Sequence, residues 1–124
     1  MSTSQASAGR AAGHGRAPLI HAHPDDVTLQ TALVAVGDPV RRHILRQLAE
    51  VPDWTLACGR FDLPVSKATS SHHFAVLREA GLLEQRDAGT RRLNRLRRPE
   101  YDARFPGLLA LVLTAEPTAE PADS

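Results

Sequence analysis

Residues 66–82, SKATSSHHFAVLREAGL, carry both a start and a stop for one helix. Ser66 offers a hydroxyl of the kind that accepts from the free N–H groups of a first helical turn. Gly81 takes up the left-handed backbone that ends a helix more readily than any other residue. With Ala80 as the cap, Leu77 and Leu82 hold the two positions that touch across a Schellman stop. The spacing predicts a helix over 67–80. Immediately beyond, residues 82–87 and 90–97 form two short runs parted by Ala88 and Gly89, which predicts an antiparallel hairpin. A helix that must stop at Gly81 and pass straight into a hairpin leaves few folds open to a chain of 124 residues.

Upstream, Leu29, Ala32, Leu33 and Val36 fall on one face of a first helix over 28–37, with Gly37 suited to a left-handed end. Asp38 and Pro39 then supply a capping oxygen and a residue whose fixed φ fits the first helical position, so a second helix starts there and runs to about Glu50. Val40, Ile44, Leu45 and Leu48 face inward in it, which leaves Arg41, Arg42 and Arg46 toward solvent or a partner. Trp54, Ala57, Cys58 and Phe61 stand at helical spacing after Pro52 and predict a short buried helix, weakened by Gly59. Downstream, Pro99 opens a helical turn through Arg104. Pro106 restarts the helix, and Leu108, Leu109, Leu111, Val112 and Leu113 make that last helix apolar on nearly every side, so it must be covered. No internal repeat is visible.

The ends are of a different kind. Residues 1–17 carry almost no large apolar side chain, and residues 114–124 hold two prolines and three acids. Both are expected to be disordered tails around a single domain over 18–113, a size that excludes a two-domain enzyme. The longest apolar run, residues 108–113, is far short of the ~20 residues needed to span a bilayer. With no apolar stretch to serve as a signal peptide, a cytoplasmic protein without membrane contact is expected. Cys58 is the one cysteine. Disulfide scaffolds and thiolate zinc cages are thereby excluded.

Charge is segregated along the chain. Residues 60–98 hold nine bases (Arg60, Lys67, Arg78, Arg86, Arg91, Arg92, Arg95, Arg97, Arg98) against four acids, a net +5, while the remainder carries −4. That distribution suits a polyanion-binding surface on an otherwise acidic molecule, because neutralising phosphates supplies much of the affinity for nucleic acid. A solvated charged face would show the same composition.

The order helix, helix, short helix, turn, helix, basic hairpin, apolar helix is the plan of a winged helix-turn-helix, a mainly α fold with a small β-hairpin wing. The resemblance becomes specific at Thr69, Ser71, His72, His73, Phe74 and residues 77–82, together with Asp38, Pro39, Arg41 and Arg42. These match the recognition helix and the Asp-Pro-x-Arg start of the second helix in ArsR-type bacterial regulators, and the similarity covers about residues 29–112. It implies a homodimeric DNA-binding regulator, usually a repressor, acting on a partly palindromic operator and dimerised through the first and last helices. Leu29, Leu33, Val36, Leu108, Leu109 and Val112 are the expected interface. Ser70 departs from the pattern, which usually has Val or Leu there.

Side-chain direction sorts the recognition helix. Ser70, His73, Phe74 and Leu77 share a core-facing stripe, which leaves Lys67, Thr69, Ser71 and His72 toward DNA, with Ser66, Arg78, Arg91 and Arg92 completing the expected contacts. Hydroxyl and imidazole groups read base edges or phosphate, whereas Lys67 only donates and suits a phosphate. His73 reads as a core or interface histidine. Many ArsR-type proteins sense metals, yet Cys58 stands alone and residues 106–113 contain no His or carboxylate. Neither metal nor cofactor is expected, Cys58 reads as a small buried hydrophobe, and no inducer-binding set stands out. The segment His21-Ala22-His23-Pro24-Asp25-Asp26 resembles the metal-binding motif of zinc-dependent N-acetylsugar deacetylases. Against an enzyme stand Val27, where that family has Glu, the lack of a convincing preceding strand, and the short chain. The other alternative is a winged helix serving as a protein-interaction module.

Overall fold

The computed structural model describes residues 19–114. A 3-10 turn at Pro24–Asp26 leads to α1 (Leu29–Val36), α2 (Pro39–Ala49), β1 (Leu56–Ala57) and a second 3-10 turn at Cys58–Arg60. Then follow α3 (Lys67–Glu79), β2 (Leu83–Ala88), β3 (Arg91–Leu96), α4 (Arg98–Arg104) and α5 (Leu108–Thr114). The tails expected over 1–17 and 114–124 lie outside the described residues, apart from Thr114, which is the last residue of α5.

The junction of α1 and α2 is built by charge as much as by turn chemistry. Thr28 caps α1, its hydroxyl accepting from the Thr31 N–H at 3.1 Å. At the other end Gly37 has φ −78°, so the left-handed stop expected there is not formed. Guanidinium groups take its place. Arg41 donates through Nε to the Ala35 carbonyl at 2.7 Å and through Nη2 to that of Val34 at 3.1 Å, while Arg42 Nη1 reaches the Val36 carbonyl at 2.8 Å. These are the orphan carbonyls of a helix C-terminus, where cations also oppose the negative end of the helix dipole. Asp38 Oδ1 meanwhile accepts from the N–H groups of Val40 at 2.8 Å and Arg41 at 3.2 Å, capping α2. Arg41 and Arg42, expected toward solvent or a partner, therefore fasten α1 to α2.

The Schellman stop of α3 forms as the sequence requires. The Leu82 N–H donates to the Leu77 carbonyl at 3.0 Å and that of Gly81 to the Arg78 carbonyl at 3.1 Å, with Gly81 at φ +75°. Leu77 and Leu82 are both fully buried. The hairpin turn falls one residue later than expected. Ala88 pairs with Arg91, which leaves Gly89 and Thr90 as the two-residue loop. Gly89 lies at φ +66° and Thr90 does not take positive φ, the pattern of a II′ turn with glycine first.

The short helix expected around Trp54 to Phe61 is not formed. Trp54 turns at φ +65° and its N–H donates to the Asn94 carbonyl at 2.9 Å. Leu56 and Ala57 then pair with Asn94 and Leu93, so β3 is the middle strand of an antiparallel sheet ordered β1-β3-β2. Pairing the open edge of β3 outweighs a helical spacing already weakened by Gly59, because strand-edge N–H and C=O groups need partners wherever water is excluded. Among the described residues, five α-helices and a three-stranded sheet in this order form a winged helix-turn-helix.

Ile44, Leu45, Leu48, Phe74, Leu77, Leu82, Leu83, Leu96 and Tyr101 make the centre of the core, joined by Leu109 and Val112 of α5 and by Val36 of α1. The last three were expected at a dimer interface. They belong to the protomer interior instead: Leu109 is 0 % exposed and Val36 and Val112 are 7 % exposed. The reason lies in the helical period, since α5 is set against α2 and α4 and residues three apart face the same way. Among the described residues, the large apolar side chains left outside are Ile20 (68 %), Leu29 (54 %), Leu33 (46 %), Val34 (54 %) and Leu111 (62 %). Leu108 is half-buried.

Candidate nucleic-acid interface

The recognition helix begins at Ser66, whose hydroxyl accepts from the Thr69 N–H at 3.2 Å and lies 3.1 Å from the Thr69 hydroxyl. That cap holds the first turn of α3 with Ser66, Lys67 and Thr69 exposed, and Ser71 and His72 are exposed on the next turn. His73 and Phe74 turn inward, with the Phe74 ring edge-on to Phe61 at 5.1 Å. Ser70, assigned to the core stripe from the sequence, is half-buried and opens onto a groove. A hydroxyl there needs the wet side, which is consistent with its departure from the usual aliphatic residue.

That groove, about 780 Å³ in volume, runs between α3, the 3-10 turn at Cys58–Arg60 and the wing. Its lining includes Arg60, Lys67, Arg78, Arg91 and Arg92 and contains no Asp or Glu. Arg60, Lys67 and Arg91 are exposed and make no ion pair among the described residues. The geometry therefore brings bases from three separate elements to one concave surface beside the exposed hydroxyl and imidazole groups of α3. Such a surface attracts phosphate through its summed field, and it has the space to admit a backbone.

The other bases are already engaged. Arg92 pairs with Asp87 at 3.0 Å across the wing, and Arg86 lies 4.3 Å over the Trp54 ring. Arg95 donates to Glu84 at 2.6 Å and to Glu100 at 3.0 Å, and Arg97 lies 3.9 Å from Glu84 and 3.5 Å from Glu100. Arg98 sits 3.5 Å from Asp102. The basic run on the far arm of the hairpin thus serves mostly to tie the sheet to α4, and the charge available to a polyanion is concentrated at the groove.

Arg78 has a double role. Its Nη1 donates to Gln85 Oε1 at 2.7 Å and its Nε to the Ile20 carbonyl at 3.3 Å, so the expected DNA contact is first of all a bridge from α3 to β2 and to the N-terminal segment. Gln85 continues inward, its Nε2 lying 2.9 Å from both Asn94 Oδ1 and Cys58 Sγ, while Asn94 Nδ2 donates to the Leu56 carbonyl at 2.8 Å. Sequence reasoning missed this chain of amides. The available signal was the alternation Leu83, Gln85 on β2, which puts Gln85 on the inward face. Burial pushes the Cys58 thiol up, despite the amide contacts that oppose it, so it stays protonated.

The segment His21 to Asp26 also has a structural task. His23 Nδ1 accepts from the Asp25 N–H at 3.1 Å, capping the first 3-10 turn, and His21 Nε2 accepts from the Gln85 N–H at 2.9 Å. The two imidazoles are thus committed to different partners. Among the described residues, no group of three or more His, Cys, Asp or Glu side chains converges as metal ligands would.

No family model matches this chain. The chain is 45 % identical over 64 residues to the HTH-type transcriptional regulator Rv2034 of Mycobacterium tuberculosis (strain ATCC 25618 / H37Rv). The match takes in 50 % of this chain and 57 % of that protein, so a little over half of the relative's length is spanned.

Proposed function

We propose that this protein is a DNA-binding transcription regulator of the ArsR type, a homodimeric repressor that places α3 of each protomer in one major-groove half-site. The observation that carries the reading is the groove. Three exposed bases with no ion pair among the described residues, Arg60, Lys67 and Arg91, converge beside the exposed Thr69, Ser71 and His72 of a helix capped for presentation. Recognition helices contact base edges with their N-terminal residues, and the wing supplies flanking backbone contacts. Similarity to a protein named as a helix-turn-helix transcriptional regulator supports the same assignment.

A homodimer is the simplest cover for Leu29, Leu33, Val34 and Leu111, which the protomer leaves in water. Two copies also fit a two-half-site operator, where joint engagement raises affinity beyond that of either half. Footprinting on the DNA upstream of the protein's own coding sequence tests the reading directly. Protection of two related half-sites about one helical turn apart is expected. Binding no stronger to that region than to mixed-sequence DNA would point to the protein-interaction alternative.

A further inference from the structure

Arg78 differs from the other bases held within the fold. Arg92, Arg95 and Arg97 each lie against a carboxylate, whereas Arg78 makes no ion pair among the described residues. Its Nε and Nη1 are taken by the Ile20 carbonyl and Gln85 Oε1, and its Nη2 has no hydrogen-bond partner among the described residues. Burial and then Arg92 press its pKa below the usual value, against the weaker pull of Glu79. A half-buried guanidinium beside another base, with no acid of its own, is costly to hold. An anion supplied from outside would relieve that cost, and a carboxylate matches the guanidinium in geometry.

DNA is poorly placed to supply it. Arg78 stands seven residues beyond Ser71 on α3, about 10 Å further along the helix axis, while recognition helices meet base edges with their N-terminal residues. The groove wall beside Arg78 is apolar instead. Buried Phe74 precedes it by one turn of α3, half-buried Cys58 shares Gln85 with it, and half-buried Leu19 adjoins Ile20, whose carbonyl it holds. A duplex, whose contacts are mostly to phosphate and sugar, gains little from such a wall. The groove volume of about 780 Å³ is that of a small-molecule site, where an apolar lining is combined with a few placed polar groups.

We propose that the inner end of the groove binds a small organic carboxylate with an apolar body, its head group on Arg78 and its body against Phe74, Cys58 and Leu19, and that the bound anion competes with DNA. The competition rests on the DNA-binding reading above and gives that reading the chemical class of its effector; the anion site itself does not depend on it. Bound there, the anion stands between α3 and the wing and cancels part of the field that draws phosphate.

Naphthoate serves as the probe and naphthalenemethanol as its uncharged match. Cys58, the one cysteine, lines the groove and reports occupancy through its rate of alkylation by iodoacetamide. At about ten times its Kd, naphthoate is expected to slow that rate about tenfold and to weaken binding of a mixed-sequence duplex about tenfold, since exclusive binding scales both by one plus the ratio of ligand to Kd. The alcohol should do neither. Arg78→Gln should raise the naphthoate Kd about tenfold, as loss of a charge-assisted hydrogen bond requires. Gly59→Glu should also raise it while leaving the bonds of Arg78 in place, because a Cβ on this groove-lining glycine meets nothing within 4 Å. Alkylation that naphthoate leaves unchanged, or that the alcohol slows as much, would overturn the site. So would an unchanged naphthoate Kd in both variants. Protection of Cys58 with no loss of duplex affinity would overturn the competition. If wild type binds no duplex, the DNA reading fails by itself, and slowed alkylation would still uphold the anion site.

Discussion

Arg41 Nη1 lies 3.1 Å from His73 Nδ1, joining the α1–α2 junction to the inward face of the recognition helix. A guanidinium only donates, so Nδ1 must accept and the imidazole must be neutral with its proton on Nε2. Burial lowers the His73 pKa first, with Arg41 and His72 lowering it further against the opposing pull of Asp38. His21 is lowered in the same way, by burial and then by Arg78, and it too must accept, from the Gln85 N–H.

Both histidines therefore hold fewer protons folded than unfolded, and stability should rise with pH where they titrate. Their contribution is complete above the unfolded value of 6.5 and is lost as pH falls from there toward the lower folded values. Thermal melts from about pH 8 to about pH 5 should show a falling Tm. The fall should be smaller in a His21→Gln/His73→Gln variant, whose amides accept without titrating. A variant as pH-sensitive as wild type would assign the effect elsewhere.

Lys67 and His72 should separate affinity from specificity. Lys67→Ala is expected to weaken binding to all duplex DNA alike and to reduce the salt slope by about 1, as for one phosphate contact. His72→Ala should instead cost about 1 to 3 kcal/mol of discrimination between operator and mixed-sequence DNA. Titrations of both probes at two salt concentrations distinguish the two effects.

Leu109 and Leu111 sit two residues apart and should behave oppositely. Leu109→Asp buries a carboxylate at a site that is 0 % exposed, and it should cost several kcal/mol and unfold the protomer. Leu111→Asp changes a side chain that is 62 % exposed and should leave a folded chain. If Leu111 meets a second copy, that variant should sediment as a monomer at micromolar concentration and lose specific binding while keeping weak non-specific affinity. Unchanged sedimentation of a dimeric wild type would place the interface away from Leu111.

Gly81 has two reasons to be glycine. Its φ is +75°, and a Cβ there would lie 3.2 Å from the Ala22 carbonyl oxygen and 3.3 Å from the Pro24 nitrogen. Gly81→Ala should destabilise the fold by about 1 to 3 kcal/mol in a denaturant titration. It should also expose the N-terminal segment to protease, because two of the three nearest atoms, the Ala22 oxygen and the Pro24 nitrogen, are backbone and cannot rotate away.

Asn94 is 0 % exposed and satisfies both the Leu56 carbonyl and Gln85 Nε2. Asn94→Ala removes the side-chain donor to the Leu56 carbonyl and leaves Gln85 Nε2 with Cys58 Sγ alone, and should cost about 2 to 4 kcal/mol, whereas Cys58→Ser keeps a polar partner for Gln85 and should cost about 1 kcal/mol with DNA binding retained. Chemical denaturation of the two variants measures the difference.

Residues close in sequence determined the local punctuation of this protein: the Ser66 cap, the Gly81 stop, the Asp38-Pro39 start and the existence of the hairpin. Those signals act within a few residues, so they are readable without knowing what lies across the molecule. The tertiary structure decided what local pattern could not. Pairing with the open edge of β3 turned Leu56 and Ala57 into a strand, and Arg41 and Arg42 replaced the left-handed end expected at Gly37. Packing of α5 on α2 and α4 drew Leu109 and Val112 inward while leaving Leu111 out. At the candidate site, the sequence supplied the exposed side chains of α3, but the acids of β2 and α4 decided which arginines of the wing are held in ion pairs. Charge pairing and strand pairing are contacts between distant residues, and only the folded chain sets their distances.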